Sequence, residues 1–245
     1  MLLMGNVKEP TPLVSINVVV DLGGQYLWVD CDRNYVSLSY TPARCNSAQC
    51  SLASSGACGT CNGPARPGCN NNTCSLFPEN TVTRTATGGE VAQDVVSLQA
   101  TNGKNPGPVV SIPRFLFTCG STFLLEGLAS GVQGMAGLGR GRIGLPSQFA
   151  AAFSFNRKFA VCLTSTTSAN GVIFFGNSPY VMLPNIDIST SLIYTPLLIN
   201  PVSTAGVFSQ GEKSVEYFIG VKSIKVNEKS ISLNTSLLSI SSVTV

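Results

Sequence analysis

The chain has 245 residues, of which 44% are hydrophobic and only 11% are charged, and it contains no histidine. Its net charge of +3 comes without the Lys/Arg run of a nucleic-acid-binding protein, so we exclude that function. The lack of histidine excludes Ser-His-Asp and Cys-His catalysis and removes the commonest metal ligand, so we expect no metal site and no cofactor. No segment approaches the roughly 20 consecutive apolar residues of a membrane span.

The first structural element predicted along the chain is a strand over Leu13–Val20, where apolar residues alternate with others. Asp21–Gly24 is predicted as a turn, and Gln25–Cys31 as the next strand. A carboxylate at the end of a buried strand is costly unless it is hydrogen-bonded or paired. The pattern therefore indicates either one half of a paired-carboxylate site or an Asp that caps its own turn, and it leaves both interpretations open.

Nine cysteines predict a loop region held by disulfides, made in an oxidising compartment. Six of them lie in the Gly-, Pro- and Asn-rich segment 37–80, with the spacing C-x4-C-x7-C-x2-C-x7-C-x4-C. This spacing lacks the second close pair of a zinc ribbon, so we favour disulfides over a zinc site. Because nine is odd, at least one thiol lacks an internal partner. The disulfide candidates are Cys31, Cys45, Cys50, Cys58, Cys61, Cys69, Cys74, Cys119 and Cys162.

Two N-glycosylation sequons begin at Asn71 and Asn234, and they matter only if the chain is secreted. The N-terminal segment Met1–Pro12 is too short for a signal peptide and lacks its long apolar core. The cysteines indicate secretion whereas the N-terminus does not. We give more weight to the cysteines and expect a secreted protein whose chain begins late.

The middle of the chain predicts a hairpin over Thr81–Leu98, with its turn at Gly88-Gly89, followed by a strand over Pro113–Cys119. Gly131–Gly144 contains six glycines but no phosphate-binding motif, so we interpret it as a tight loop packed close to the Asp21 turn. The next segment, Leu145–Phe153, is the one predicted helix, with a proline near its start.

The last third of the chain again predicts strands, at Phe159–Leu163 and Val172–Phe175. A connector over Asn185–Pro196 precedes a hairpin formed by Tyr217–Val226 and Ser230–Leu233. We therefore divide the chain into residues 1–184 and residues 185–245, with an incomplete second unit. After Gly120 the only Asp is Asp187, which we interpret as a solvated loop residue.

The stretch VVVDLGGQYLWVDC resembles the first active-site loop of pepsin-like aspartic proteases, in which the Asp is followed by Thr or Ser, then Gly, then Ser. Asp21 and Gly23 match that motif, whereas Leu22 and Gly24 replace its two hydroxyl residues. The hairpin that would cover the site also lacks the tyrosine usual in those proteases. The resemblance thus implies an all-β, pepsin-like fold with a vestigial site at Asp21, Leu22, Gly23 and Gly24.

Longer strings, such as GMAGLGRGRIGLPSQFAAAF and SVEYFIGVKSIKVN, resemble the plant extracellular dermal glycoprotein group, from about Pro12 to Ile240. That group includes the legume basic globulins and inhibitors of xylanase and xyloglucan-specific endoglucanase. Its members are longer, so the resemblance implies an N-terminal lobe plus the start of a C-terminal lobe. We accordingly expect this chain, expressed alone, to be marginally stable or to aggregate.

This resemblance implies a non-catalytic, disulfide-bonded and glycosylated protein of the cell wall, whose partners are secreted microbial glycoside hydrolases. An aspartic-type endopeptidase using Asp21 is the first alternative, and a storage or peptide-binding globulin is the second. Proteolysis needs a carboxylate from each lobe, and the sequence offers no second Asp in the required pattern. Peptide hydrolysis by this chain alone is therefore not expected.

Overall fold

The computed structural model describes residues 2–4, 13–166, 168, 170–177, 179–182, 185–203 and 213–238. Residues 5–12, most of the segment considered as a signal peptide, lie outside this range. The described residues form strands and only two α-helices, α1 Ala48–Leu52 and α2 Leu145–Phe153. The all-β prediction is therefore confirmed, as is the helix predicted over Leu145–Phe153.

The strands of the N-terminal part supply most of the structure. In chain order they are β1 Leu2–Met4, β2 Val14–Ile16, β3 Val19–Asp21, β4 Leu27–Asp30, β5 Thr41–Pro42, β6 Ala57–Gly59, β7 Thr73–Leu76, β8 Glu79–Asn80, β9 Thr85–Ala86, β10 Gly89–Thr101, β11 Pro106–Gly120 and β12 Gly134–Gly137. Ten of them form one sheet with the central order β2-β1-β10-β11-β4-β12-β3. Two pairings in it, β11 with β4 and β12 with β3, are parallel, and the others are antiparallel.

The strands that follow α2 pair only locally. They are β13 Phe159–Cys162, β14 Val172–Phe175, β15 Val181–Met182, β16 Ile186–Asp187, β17 Leu197–Leu198, β18 Phe218–Ile219, β19 Lys225–Val226 and β20 Lys229–Ser230. Each pair is a two-stranded sheet of its own. Many apolar side chains here are exposed, for example Leu163 at 83% and Ile193 at 98%.

The structure corrects two predicted strands and one predicted turn. The strand predicted over Leu13–Val20 is two strands, because β2 pairs with β1 whereas β3 pairs with β12. The turn predicted at Gly88-Gly89 was wrong: β8 pairs with β9, so the hairpin turns at residues 81–84, and Gly89 begins β10. Tyr217–Val226 is likewise not one strand, since β18 pairs with β17 and only β19 and β20 form the hairpin.

The main core lies between the large sheet and α2. Phe115 and Phe117 on β11 and Phe149 on α2 are fully buried, and the Phe115 and Phe149 rings lie 5.6 Å apart. Leu27 and Val29 of β4 belong to the same cluster. Burying large side chains of this kind stabilises a fold by about 1.5–3 kcal/mol each. The strand that follows the Asp21 turn is thus anchored in the best-packed part of the molecule.

Disulfides close the cysteine-rich loop and tie it to the sheet, as the disulfide interpretation expected. The pairs are Cys31–Cys119, Cys45–Cys58, Cys50–Cys74 and Cys61–Cys69. Cys162, on β13, is not in a disulfide. No group of three or more His, Cys, Asp or Glu residues able to hold a metal ion occurs in the described part of the chain. Within the same residues, no helix is long and apolar enough to cross a membrane.

Candidate functional site at the Asp21 turn

Asp21 is the last residue of β3, and the neighbouring strand β12 fixes its position. The two strands run parallel, with Asp21 opposite Gly137. The backbone N–H of Leu138 donates to the Asp21 carbonyl at 2.8 Å, and that of Gly139 donates to the Gly24 carbonyl at 2.9 Å. The glycine-rich loop therefore packs directly on the Asp21 turn, as predicted.

This close packing explains one departure from the protease motif. A Cβ atom on Gly24 would lie 2.9 Å from the Gly137 Cα and 3.1 Å from the Asp21 Oδ2, which is too near for either neighbour to stay in place. A serine at position 24 would therefore require a small shift of Gly137 or of the Asp21 side chain. Leu22, the other departure, is 53% exposed and has no hydroxyl to offer Asp21.

The Asp21 carboxylate accepts one hydrogen bond on each oxygen. The backbone N–H of Gly23 donates to Oδ1 at 2.9 Å, so Asp21 caps its own turn. The Thr81 hydroxyl donates to Oδ2 at 3.0 Å, from a position 60 residues further along the chain. A hydroxyl thus does reach Asp21, but it comes from the β8–β9 hairpin and not from the turn.

Hydrogen bonds made by Trp28 and Asn80 hold the β8–β9 hairpin over the Asp21 turn. The Trp28 indole N–H donates to the Glu79 carbonyl at 2.9 Å. The fully buried Asn80 donates from Nδ2 to the carbonyls of Leu124 and Glu126, both at 2.8 Å. The Asn80 Oδ1 also accepts from two backbone N–H groups of the hairpin turn. The hairpin is therefore a fixed cover over Asp21 in this structure.

The space beneath the hairpin is small. Its volume is about 50 Å³, enough for a few water molecules. The lining residues are Asp21, Gly23, Gly24, Gln25, Tyr26, Trp28, Phe77, Glu79, Thr81, Met135 and Gly137.

Two further carboxylates lie close to the turn, and neither was identified from the sequence. Glu79 shares the cavity with Asp21; its burial, and then the negative charge of Asp21, raise its pKa, while Arg84 acts in the opposite direction. Glu216 comes from the C-terminal part, and its Cγ would lie 3.0 Å from a Cβ on Gly23. The Glu216 carboxylate accepts from the Ser214 hydroxyl at 2.9 Å. These contacts join distant segments, so no local pattern could have indicated them.

Asp187, the only Asp after Gly120, forms hydrogen bonds with residues close to it in the sequence. It is the last residue of β16 and caps a short 3-10 turn, Ile188–Ser191, so it is not simply a loop residue. Its Oδ1 accepts from the backbone N–H groups of Tyr180 and Ser189, at 3.0 and 2.9 Å. Hydrogen bonds from Ser189, above all from its hydroxyl, hold the pKa of Asp187 below its usual value.

Two other buried carboxylates organise the cysteine-rich side of the sheet. Asp94, fully buried on β10, accepts from the hydroxyls of Tyr35 at 2.7 Å and Ser37 at 3.1 Å, and from that of Ser39. Glu90, on the same strand, accepts from the Tyr40 hydroxyl. Burial, and then the neighbouring carboxylate, raise the pKa of both tyrosines. Such satisfied buried groups fix loop geometry, so we assign these two carboxylates a structural role.

The two candidate glycosylation residues are both at the surface. Asn71 is exposed, whereas the threonine of its sequon, Thr73, is buried and donates to Glu90 Oε2 at 3.1 Å. Asn234 is also exposed, and its Oδ1 accepts from the backbone N–H of Ser236 at 3.1 Å. Nothing in this geometry prevents a glycan at either asparagine.

Known proteins resemble this chain over nearly all of its length. It is 65% identical over 236 residues to "Probable aspartic proteinase GIP2" of Nicotiana benthamiana, a match covering 96% of this chain and 54% of that protein. It is 45% identical over 223 residues to "Gamma conglutin 1" of Prunus dulcis, covering 90% of this chain and 49% of that protein. The chain thus spans about half the length of these relatives.

Solved structures share its fold. The crystal structure of edgp superposes with a TM-score of 0.93 at 64% identity, covering 98% of this chain and 57% of that one. Basic 7S globulin from soybean superposes with a TM-score of 0.80 at 39% identity, covering 94% and 56%. The fold is therefore the pepsin-like fold that the Asp21 motif implied. Residues 4–177 match the family described as "Xylanase inhibitor N-terminal", and the chain belongs to this family of plant proteins related to aspartic proteases.

Proposed function

We propose that this chain is part of a secreted, non-catalytic plant protein that inhibits a microbial cell-wall-degrading glycoside hydrolase by protein–protein contact. The observation that carries the proposal is the match of residues 4–177 to the xylanase-inhibitor N-terminal family. The Asp21 site supports it, because Leu22 and Gly24 supply no hydroxyl and the hairpin over the turn is held in place. A disulfide-closed β scaffold presenting surface loops suits such a contact.

The test is an inhibition assay with the purified whole protein that contains this chain and two enzymes, a xylanase and a xyloglucan-specific endoglucanase. We expect the rate of polysaccharide hydrolysis by one of them to fall as the protein is titrated towards equimolar amounts. The control is the same protein after reduction and alkylation, which opens the disulfides and should remove the inhibition. Full activity of both enzymes at a large molar excess of the folded protein would contradict the proposal.

An aspartic-type endopeptidase is the second candidate, favoured by the retained Asp21 and by the name of the 65% identical relative. We expect no pepstatin-sensitive cleavage of denatured protein at acid pH, since no second Asp shares the cavity with Asp21 among the described residues. Cleavage that disappears in Asp21→Ala and persists in Asp187→Ala would reverse this conclusion. Asp187 is a suitable control because it caps a turn of its own.

A storage or peptide-binding globulin is the third candidate, favoured by relatives named gamma conglutin and basic 7S globulin. Accumulation in seeds without inhibition of either hydrolase would support it over the inhibitor.

The proposed location for all three candidates is extracellular, with glycans on Asn71 and Asn234 and a lobe boundary near residue 184. Loss of one endoglycosidase-sensitive mass step in each of Asn71→Gln and Asn234→Gln would test the glycans.

A further inference from the structure

The segment between Glu126 and Asp187 contains no acidic residue but carries four cationic ones, Arg140, Arg142, Arg157 and Lys158. The cations do not form a run, so the sequence alone gives no sign of a charged patch. The fold brings three of them to the start of α2. We call Arg140, Arg142 and Arg157 the basic surface.

Hydrogen bonds fix the geometry of the basic surface. The Arg157 guanidinium lies 3.4 Å from the Arg140 carbonyl oxygen and 3.4 Å from the Ser147 hydroxyl. That hydroxyl donates in turn to the Gly141 carbonyl at 2.6 Å, next to the exposed Arg142. The Arg140 guanidinium stacks 5.9 Å from the centre of the Tyr217 ring. Arg157 is thus held against the loop that carries Arg140 and Arg142.

Among the described residues, no ion pair involves the basic surface. The ion pair found among the described residues is Arg66–Asp32, on the cysteine-rich side. Glu216 belongs to the C-terminal segment that contacts Arg140, where the Ser214 carbonyl accepts from Arg140 Nη2 at 3.3 Å, and its carboxylate forms no ion pair with the basic surface. Arg142 and Arg157 are exposed, so their guanidinium groups can reach an external anion, whereas Arg140 is half-buried and its Nη2 already donates to the Ser214 carbonyl at 3.3 Å.

The loop and helix that carry the basic surface expose no large apolar side chain. From Leu124 to Ala160 no large hydrophobic side chain is among those exposed, and the apolar residues of the loop and helix, such as Ile143 and Leu145, point into the core. Protein–protein contacts usually depend on buried aromatic or aliphatic anchors. A charged, hydrated surface without them suits a flexible polyanion better than a folded protein partner.

We infer that the basic surface binds a carboxylated polysaccharide of the polyuronate class. Arginine pairs with a carboxylate through two parallel N–H···O hydrogen bonds, and a polyuronate carries one carboxylate on every sugar. This binding does not depend on hydrolase inhibition, and it would retain the protein in an acidic polysaccharide matrix while leaving other loops free.

The test uses the purified whole protein that contains this chain and polygalacturonate, with the fully methyl-esterified polymer of the same length as the matched ligand. We expect binding to the free acid that weakens as salt rises, because exposed ion pairs are screened, and no binding to the ester. Equal binding to both polymers would overturn the inference, since only the acid carries charge. Equal affinity for polyglutamate would assign the surface to acidic polypeptides and would also overturn the inference. Equal affinity for duplex DNA would indicate a non-specific cation effect and would overturn it as well.

A pair of double variants separates this surface from net charge. Arg142→Gln with Arg157→Gln removes two charges from the basic surface, and Lys225→Gln with Lys229→Gln removes two from the exposed β19–β20 hairpin. We expect the first pair to weaken polygalacturonate binding by roughly threefold to thirtyfold, as for two exposed ion pairs, and the second to change it by less than about twofold. Equal losses in the two pairs would overturn the assignment.

Discussion

Replacing Asn80 by alanine tests whether the cover over Asp21 is held from within the molecule. The side chain of Asn80 is fully buried and makes four hydrogen bonds. The two that it donates to the carbonyls of Leu124 and Glu126 contribute about 1 kcal/mol each. The two that it accepts, from Val82 and Thr83, contribute about 0.5 kcal/mol each, because these exposed residues can bond to water instead. We expect Asn80→Ala to lower the free energy of unfolding by about 3 kcal/mol.

Asn102→Ala is the matched control for this prediction. Asn102 is exposed, at the tip of the β10–β11 hairpin, and its Oδ1 accepts from the backbone N–H groups of Lys104 and Asn105 at 3.0 and 2.8 Å. Water can replace these bonds, so its loss should be less than about 1 kcal/mol.

Urea denaturation measures both stability losses, and hydrogen exchange of residues 79–86 shows whether the hairpin has loosened. We expect faster exchange of those amides in Asn80→Ala and unchanged exchange in Asn102→Ala. Equal stability losses in the two variants, or unchanged exchange of the hairpin in Asn80→Ala, would refute the argument that Asn80 holds the cover in place.

Two further predictions concern stability. The Cys31–Cys119 bridge spans 88 residues and Cys61–Cys69 spans 8, so chain entropy predicts losses of about 4.6 and about 2.5 kcal/mol when each pair becomes alanine. Equal losses in denaturation would contradict the loop-length argument. Glu79 favours folding below its unfolded-state pKa and loses that contribution as pH rises through its raised folded-state pKa. Glu79→Gln should therefore raise Tm at pH 7 and leave it nearly unchanged below about pH 4; the reverse order would contradict this sign.

Local patterns were sufficient wherever one segment determines its own structure. The spacing of apolar residues after Pro146 placed α2 correctly, because helical periodicity depends on neighbours three and four positions away. The same reasoning failed at Gly88-Gly89, where two glycines suggested a turn. The hairpin turns instead at residues 81–84, because the buried Asn80 satisfies the backbone of that turn and the long pairing of β10 with β11 begins soon after Gly89.

The sequence by itself determined the strand-rich composition, the disulfide chemistry of the cysteine-rich loop and the protease-like motif around Asp21 that pointed to the family. Only the tertiary structure decided which cysteines pair, that Thr81 supplies a hydroxyl to Asp21, and that Arg157 lies against the loop that carries Arg140 and Arg142. The physical reason is the separation along the chain over which each interaction acts. Strand alternation and turn capping involve residues only a few positions apart. A hydrogen bond across 60 residues exists only after the sheet has brought β3 and the β8–β9 hairpin together.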